Sequence, residues 1–231
     1  MAACVDLDAV LAIAASAPEL DRPAWSPDAR APGPRPVVAV AGGRACTFRY
    51  TETDELLRAA GCDVVAFDPL SDHQLPAGTR GLYLGGGFPE VHAAELAGNH
   101  RLRAEIRSAV ADGLPTVAEC AGLLYLADRL DGTEMVGSIR ADAAMTGRLT
   151  LRYPVAVAAS DNLLARHGER VTGHEFHRTQ VTPAHTGSPA WCIDDEPVGF
   201  ASATLHASYL HTHWAGHPQL AERFADAVHG A

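Results

Sequence analysis

The stretch GLPTVAECAGLLYLADRL, residues 113–130, decides the fold of this chain. A short apolar run ends at Cys120, the small residues Ala121 and Gly122 follow, and an amphipathic segment begins. This order predicts a buried strand, a tight turn and then a helix up to Leu130, with the thiol at the turn. Because backbone N–H groups at a helix start favour a thiolate, Cys120 is a candidate nucleophile. The competing interpretation is a small apolar core residue, as most lone cysteines are.

Apolar runs alternate with helical patterns in the region before this stretch. Strands are predicted at VVAVAGG, DVVAFDPL, RGLYLGGG and LPTVAEC. Helices are predicted at YTETDELLRAAG, with Thr51 or Thr53 as N-cap, and at PEVHAAELAGNHRLRAEIRSAVADG, with a break at Gly98 and Asn99. Strands that are continuously apolar indicate a parallel sheet covered on both faces. In such sheets, chemistry gathers at the carboxyl ends of the strands.

The sequence after Leu130 changes in character. The segments GRLTLRYPVAVAA, ERVTGHEFHRTQVT and EPVGFASATLHASYLHTHW are typical of strands, and HPQLAERFADAVHG of a closing helix. The predicted fold is therefore α/β, with a mostly parallel sheet, helices on both faces and a β-rich carboxyl-terminal extension.

Residues 1–35 are predicted to be separate from this core. Residues 1–17 have a helical pattern with Asp6 or Asp8 near its start. The segment from Pro18 to Pro36 contains six prolines, which is typical of an extended linker. We therefore predict a remnant helix and linker of a preceding module over residues 1–35, and the main domain over residues 36–231.

Composition excludes several classes of function. The chain has 231 residues, a formal net charge of −10 and only short apolar runs, so we expect neither nucleic-acid nor membrane binding. Its five cysteines are scattered without a CxxC pair and no secretion signal is recognisable, so we expect the reducing cytoplasm. All 18 basic residues are arginines, and the absence of lysine excludes a standard P-loop and lysine Schiff-base chemistry.

Three glycines, Gly85, Gly86 and Gly87, end the third predicted strand. Their exposed backbone N–H groups could hold an anion or an oxyanion. The alternative is an ordinary strand-to-helix turn. The glycines would lie beside Cys120 if the third and fourth strands are neighbours in the sheet.

The chain contains 12 histidines, and several of them cluster late, at His174, His177, His206, His211 and His213. In a strand, His211 and His213 share one face and His206 lies on the other. One imidazole could serve as a general base beside the thiol, and its neighbours could orient it or bind substrate. A metal site is the alternative, but no cysteine or carboxylate completes a typical ligand set, so no metal is predicted.

Four motifs occur together and in order: GGGFPEVHAAELAGN, AECAGLLYL, GHEFHRT and HASYLHTHWAGHP. The set resembles the glutamine amidotransferase domain of the cobyrinic acid a,c-diamide synthase family, including its hydrogenobyrinic acid variant, over about residues 36–229. The resemblance implies a class I glutaminase of the cobyric acid synthase-like kind on a flavodoxin-like sheet. It further implies hydrolysis of glutamine to glutamate and ammonia, as part of cobalamin biosynthesis.

The resemblance also implies roles for individual residues. Cys120 matches the nucleophile that forms a γ-glutamyl thioester, and His211 matches the histidine that activates it. The glycines at 85–87 match the oxyanion loop, with the backbone N–H of Ala121 as a second donor. Here AECAG stands where ECGG is expected.

The third member of the catalytic triad is left open by the sequence. Many class I relatives have a glutamate two positions after the catalytic histidine, and this chain has His213 there, so a Cys–His dyad is the alternative. His213, His177 and Glu175 are candidates for orienting the base or contacting substrate.

The resemblance implies partners as well. Family synthases carry an amino-terminal P-loop domain that uses ATP and Mg²⁺ to activate corrin carboxylates, and no cofactor is expected in this chain itself. This chain would then be a piece of a longer protein or a separate subunit that supplies ammonia, and a homodimer is one option for its oligomeric state. Three alternatives compete: the glutaminase subunit of a Mur-ligase-associated cell-wall amidotransferase, a non-catalytic binding module, and a zinc hydrolase that uses the histidine cluster.

Overall fold

The computed structural model describes residues 4–31 and 33–231. The first part of the chain forms α1 (Leu7–Ala15), β1 (Val37–Ala41), α2 (Thr51–Ala59), β2 (Asp63–Phe67), β3 (Thr79–Leu84), α3 (Ala93–Gly98), α4 (His100–Ala111), β4 (Thr116–Glu119) and α5 (Ala121–Leu126). The second part forms β5 (Ala127–Leu130), β6 (Thr133–Glu134), β7 (Ile139–Arg152), β8 (Val155–Ala158), β9 (Arg170–Thr172), β10 (Glu175–Thr182), β11 (Trp191–Ile193), β12 (Glu196–Val198), β13 (Phe200–Ala201), β14 (Leu205–Ser208) and α6 (Pro218–Gly230). A 3-10 helix, Trp214–Gly216, precedes α6.

A six-stranded sheet forms the centre of the molecule, in the order β13–β14–β4–β3–β1–β2. Its strands are parallel except β13, which pairs antiparallel with β14. The predicted strands of the first half are confirmed, and β3 and β4 are neighbours as expected. The late strand β14 pairs with the other edge of β4, with Ser208 opposite Glu119. Three strand ends therefore meet at one edge of the sheet, which is where parallel α/β sheets carry their sites.

Hydrophobic cores lie on both faces of this sheet. Val38 and Val40 of β1 point to one face, where they pack with side chains of α2 and α6. Ala39 and Ala41 point to the opposite face, where α3, α4 and α5 supply the apolar contacts. Since successive side chains of a strand alternate between faces, a continuously apolar strand fits only a sheet that is covered on both sides.

Two smaller sheets form the predicted β-rich extension. One has the order β10–β7–β5–β6 and the other β12–β11–β8–β9. The long antiparallel pair β7–β10 runs from Arg152 opposite Glu175 to Asp142 opposite Thr182. The closing helix is also confirmed, as α6.

The helix predicted over residues 121–130 is too long. The helix α5 ends at Leu126, and β5 continues from Ala127. The backbone N–H groups of Val136, Gly137 and Ser138 donate to carbonyls of residues 125–127, so tertiary pairing overrides the local helical pattern. The break at Gly98 and Asn99 is confirmed, because α3 and α4 are separate helices.

The predicted N-cap of α2 is wrong. Thr51 is already the first helical residue, and Thr53 is buried inside the helix. Tyr50 occupies the N-cap position with extended backbone, and its side chain makes no capping hydrogen bond to the helix. Two acidic residues in the first turn, Glu52 and Asp54, instead favour this end through the helix dipole.

The segment before β1 lies along the outside of the core. The Asp6 side chain caps α1 by accepting from the Ala9 N–H at 3.0 Å, as predicted, and none of the α1 residues is buried. Arg30 donates from its backbone N–H to the Ala59 carbonyl at 2.7 Å and pairs with Asp226 at 2.8 Å. Residues 1–3 of the predicted first helix and Pro32 of the predicted linker lie outside the described residues.

No helix in the described part of the chain has both the length and the apolar character that crossing a bilayer requires.

The turn after β4 is tied to the turn after β3. The Gly122 N–H donates to the Gly85 carbonyl at 3.0 Å. A Cβ at residue 122 would lie 2.6 Å from the Leu84 Cβ and even closer to the Leu84 carbonyl oxygen. Only glycine therefore fits at this crossing of two backbones.

We expect Gly122→Ala to destabilise the protein by about 1–3 kcal/mol, because the added methyl group must displace the backbone of β3. Urea unfolding followed by circular dichroism measures this change. The matched control is Gly98→Ala at the end of α3, where a Cβ meets nothing within 4 Å. The control should be neutral or stabilising by up to ~1 kcal/mol. Equal stability of the two variants would contradict the close packing at residue 122.

Candidate active site

Cys120 is held in a strained backbone conformation at the turn between β4 and α5. Its φ is 49° and its ψ is −97°, a combination that is unusual for any residue except glycine. The N–H of Cys120 donates to the Ser208 carbonyl at 2.8 Å, which fixes the turn against β14. A strained strand-to-helix turn that presents a nucleophile is the geometry of the nucleophile elbow. The predicted elbow is therefore present.

The sulfur of Cys120 rests as a thiol, contrary to the expectation of a thiolate. Its pKa is raised to about 12, mainly by burial and to a smaller degree by the carboxylates of Glu90, Glu119 and Glu175, whereas the Ala121 N–H lowers it. The residue is only 6% exposed, and α5 is only six residues long. The rise in the thiol pKa caused by burial is thus larger than the fall caused by the N–H groups at the start of α5. The thiol needs a base to become a nucleophile.

The glycine loop after β3 plays a different part at each position. Gly85 accepts a hydrogen bond from the Gly122 N–H, and the Gly86 N–H donates to the Phe48 carbonyl at 2.9 Å. The prediction that Gly86 is an oxyanion donor therefore needs correction, since its N–H is already engaged. In the described part of the chain, the Gly87 N–H has no acceptor. Gly87 also lines the cavity that contains Cys120.

His211 lies on the segment that follows β14. Its backbone pairs with that of His174 through two hydrogen bonds of 2.9 and 3.0 Å, and the two rings stack with centroids 4.7 Å apart. The Phe48 ring packs edge-on against His211 at 4.9 Å. A Cβ at Gly86 would lie 2.5 Å from Cε1 of His211, so this glycine makes room for the imidazole. The ring is thus held against the glycine loop.

The imidazole of His211 is neutral and buried. Its pKa is lowered to about 3, mainly by burial and to a smaller degree by His174 and His177. Among the described residues, its Nδ1 has no hydrogen-bond partner, and the nearest carboxylate oxygen, Oε2 of Glu119, is 3.9 Å away. Because Glu119 immediately precedes Cys120, the ring lies beside the backbone of the elbow. A neutral imidazole and a neutral thiol at the same edge of the sheet match the resting state of a thiol–base pair.

His213 does not join this pair. Its side chain is 45% exposed, and its Nε2 lies 3.6 Å from the Glu52 carboxylate. The Tyr50 ring packs edge-on against it at 4.5 Å. The expectation that His211 and His213 share the face of one strand is also wrong, because β14 ends at Ser208. His213 instead caps the 3-10 helix that precedes α6.

His177 and Glu175 lie on β10 and have different surroundings. His177 lines the cavity that contains Cys120, stacks on Tyr209 with ring centroids 3.8 Å apart, and donates from Nδ1 to the Thr179 carbonyl at 2.8 Å. Glu175 is buried and paired with Arg152. Its carboxylate is therefore engaged in a structural ion pair, whereas His177 faces the place where a substrate would bind.

His206 has a structural role. It is buried on β14, its Nδ1 lies 3.2 Å from Oδ1 of Asn162, and its ring packs against Trp191.

Among the described residues, no three histidine, cysteine, aspartate or glutamate side chains are grouped closely enough to hold a metal ion.

The cavity beside Cys120 has a volume of about 150 Å³. This is small compared with the roughly 300–1,000 Å³ of pockets for drug-sized ligands, so it suits a small molecule. Its walls are mainly apolar, and two charged side chains, Glu90 and Arg178, line it. One negative and one positive group in an apolar cavity match the charges of a free amino acid.

Sequence reasoning missed Glu90, Phe48 and Glu119. Glu119 is the most informative of the three, because it is a carboxylate at the end of a buried strand. A charged residue in such a position needs a partner, and that was the available signal. The contact of Phe48 with His211 had no signal in the sequence, since it arises from the folding of a loop.

Comparison with known proteins agrees with this geometry. Residues 38–219 match the family described as CobB/CobQ-like glutamine amidotransferase domain. The chain belongs to this family. The hydrogenobyrinate a,c-diamide synthase of Thermobifida fusca is 57% identical over 99% of this chain and 52% of its own length. The protein of the same name from Streptomyces coelicolor is 53% identical over 84% of this chain and 40% of its own length.

The fold of this family member is that of known glutamine amidotransferases. A solved structure of a glutamine amidotransferase from Thermotoga maritima superposes with a TM-score of 0.56 at 13% identity, covering 86% of each chain. The predicted class I, flavodoxin-like fold with its mostly parallel sheet is confirmed. The chain spans about half the length of the curated relatives that it matches.

We expect iodoacetamide at pH 8 to alkylate Cys120 at least about tenfold more slowly than the exposed Cys4, because only the thiolate reacts and burial keeps Cys120 protonated. The rate at Cys120 should rise roughly tenfold per pH unit up to pH 10, since its pKa is about 12. Mass spectrometry of the two peptides measures both rates. A rate at Cys120 that levels off below pH 9 would show a resting thiolate instead.

Proposed function

We propose that this chain is the glutaminase part of a corrin a,c-diamide synthase. In this proposal it hydrolyses glutamine to glutamate and ammonia through a thioester on Cys120. The single observation that supports it most is the strained elbow at Cys120. The buried, neutral His211 and the membership of the chain in the glutamine amidotransferase family agree with it. The names of the relatives support the corrin a,c-diamide synthase as the whole enzyme.

The first step of the proposed reaction is attack on the side-chain amide of glutamine. His211 takes the thiol proton while the sulfur of Cys120 bonds to the amide carbon, so a free thiolate need not accumulate. The negative charge that forms on the amide oxygen is stabilised by the backbone N–H groups of Gly87 and Ala121. Loss of one such donor typically lowers the rate by about 10²–10³.

The second half of the reaction returns the enzyme to its starting state. The protonated His211 gives its proton to the amide nitrogen, the C–N bond breaks and ammonia leaves. Water, deprotonated by His211, then attacks the thioester carbon, and the C–S bond breaks. Glutamate leaves, and the Cys120 thiol and the neutral imidazole are restored.

The charged lining of the cavity suits the backbone end of glutamine. We propose that Glu90 pairs with the α-ammonium group and Arg178 with the α-carboxylate, which leaves the side-chain amide at Cys120. His177, which also lines the cavity, would contact the substrate between them. Opposite charges in a largely apolar cavity bind more strongly than the same charges in water.

The synthetase partner is a proposal that rests on the length of the relatives. They are about twice as long as this chain. We propose that a P-loop domain, using ATP and Mg²⁺, activates the a- and c-carboxylates of cobyrinic or hydrogenobyrinic acid for amidation by the ammonia. The names of the relatives reported above favour hydrogenobyrinic acid. This chain has no lysine and thus no standard P-loop of its own, so no step here runs through ATP.

The domain division and the compartment belong to the same proposal. Residues 1–35 would be the end of the preceding domain and its linker, which agrees with α1 having no buried residue. Residues 36–231 would form the glutaminase domain. The five cysteines are free thiols, and this supports the reducing cytoplasm as the compartment.

The test of the function is covalent labelling with 6-diazo-5-oxo-norleucine, a glutamine analogue that traps amidotransferase nucleophiles. We expect a single adduct on Cys120, and loss of both labelling and glutamine hydrolysis in Cys120→Ala. Cys192→Ala is the matched control and should be labelled like the unaltered protein. A label on another residue, or unchanged glutamine hydrolysis in Cys120→Ala, would reject the proposed function.

The role of Glu90 has its own test. We expect Glu90→Gln to raise the KM for glutamine about 10–100-fold with little change in kcat, because a charged hydrogen bond to the ammonium group is lost. Measurement of glutamine hydrolysis against substrate concentration separates the two constants. Glu95→Gln is the control, since Glu95 is half exposed and paired with Arg44 outside the cavity. Equal KM values for the two variants would exclude Glu90 from substrate binding.

A further inference from the structure

We propose that Glu119 is the positioning residue for His211. It would take the role of the glutamate that many class I relatives have where this chain has His213. Its carboxylate would fix the imidazole and stabilise the imidazolium that forms when His211 takes the thiol proton. This inference rests on the proposed glutaminase function. The third polar residue of the site, after Cys120 and His211, would then be Glu119, which directly precedes Cys120 in the chain.

The geometry of the pair supports this role. Oε2 of Glu119 lies 3.9 Å from Nδ1 of His211, and both side chains are only 5% exposed. Nδ1 has no hydrogen-bond partner within residues 4–31 and 33–231, which is rare for a buried nitrogen. The distance is long for a hydrogen bond at rest, but catalytic hydrogen bonds often shorten only when substrate is bound. The protonated ring would form an ion pair with this carboxylate.

The carboxylate of Glu119 is held by two other side chains. The Tyr83 hydroxyl donates to Oε2 at 2.9 Å, and the Thr212 hydroxyl donates to Oε1 at 3.1 Å. The Thr212 N–H also approaches Oε1, at 3.5 Å. An ionised carboxylate accepts about four hydrogen bonds, so Oε2 can still accept one from Nδ1 of His211. The donors come from β3 and from the segment after β14, so the carboxylate has one fixed position.

A proton on Nδ1 that points to Glu119 would set the tautomer of His211. Nε2 is then left as the nitrogen that accepts the thiol proton. A protonated Glu119 would be less effective, because a neutral carboxyl group has no negative charge that stabilises the imidazolium. In a site without water, such a charge has a large effect.

Several ionisable groups face this pair. They are Tyr83 on β3, Cys120 at the end of β4, His174 and His177 at and near the start of β10, and Arg49 with Tyr50 before α2. The two histidines lower the pKa of His211, and Arg49 is already paired with Asp54 at 2.8 Å. In the described part of the chain, Glu119 is the only carboxylate within ion-pair distance of His211.

The ionisation of Glu119 gives the inference a pH signature. Burial raises the pKa of Glu119 to about 7, although the hydrogen bonds from Tyr83 and Thr212 lower it. The carboxylate is therefore present above about pH 7 and lost below it. Since the thiol and the imidazole titrate far from this range, the rate of glutamine hydrolysis should rise with pH through about 7.

The decisive variant is Glu119→Gln, which keeps the shape of the side chain and removes its charge. We expect the rates of glutamine hydrolysis and of labelling by 6-diazo-5-oxo-norleucine to fall by at least about tenfold at pH 8. We also expect the rise of rate with pH between 5.5 and 8.5 to disappear. Glu119→Asp keeps the charge at a greater distance and should recover part of the rate together with the pH dependence.

A second variant tests the inference even if Glu119→Gln does not fold. Thr212→Val removes a hydrogen bond that stabilises the ionised carboxylate, so the midpoint of the pH profile should move to higher pH while the rate above it is largely kept. A merely structural role of Glu119 would lower the rate without moving the midpoint. A Thr212→Val profile with an unmoved midpoint would therefore count against the inference.

The control for lost charge is Glu169→Gln. Glu169 is mostly buried and paired with Arg223, between the turn before β9 and α6. This variant should lose stability but keep the rate and the pH profile. If the unaltered protein is not labelled on Cys120, the proposed function fails as a whole. If it is labelled and Glu119→Gln keeps its rate and pH profile, only the role of Glu119 is overturned.

Discussion

The site depends on the parallel pairing of β4 with β14. These strands are far apart in the chain, yet Ser208 lies opposite Glu119, and the Ser208 carbonyl accepts the N–H of Cys120. This hydrogen bond holds the elbow in its strained conformation, which the chain would not adopt alone. The same pairing brings the segment with His211 to the edge where β3 and β4 also end. Backbone register thus brings Cys120, the segment with His211 and the glycine loop to one edge of the sheet.

Burial sets the chemical state of this assembly. It raises the pKa of the Cys120 thiol and lowers that of the His211 imidazole, so both are neutral at rest. A preformed thiolate–imidazolium pair would need to lose its hydration inside the protein, which is expensive. A neutral pair avoids this. In the proposed reaction, charge would appear only as the thiol attacks the amide, where backbone N–H groups and the Glu119 carboxylate are already in position. The lack of a side chain at Gly86 allows the His211 ring to approach the glycine loop, in the space that a Cβ would need.

The sequence was sufficient for the central sheet and for the elbow at Cys120. Short apolar runs that lack alternation and end at glycines indicate strands covered on both faces, and the small residues after Cys120 indicate the elbow. Local patterns failed where distant contacts decide. The segment after Leu126 leaves its helical pattern because it pairs with residues 136–138, and His213 turns away because β14 ends early. Hydrogen bonds between distant residues, such as that from Tyr83 to Glu119, have no local signature either.

The adjacency of Glu119 and Cys120 limits how this site can be disturbed. The two residues are neighbours in the chain at the end of a buried strand, so their backbones cannot move apart. The imidazole arrives from a different segment, held by its backbone bridge to His174. Displacement of that segment would move the imidazole away from Glu119 and from the elbow at Cys120 at the same time. In the proposed mechanism, movement of the one short segment that carries His211 would therefore be enough to inactivate the site.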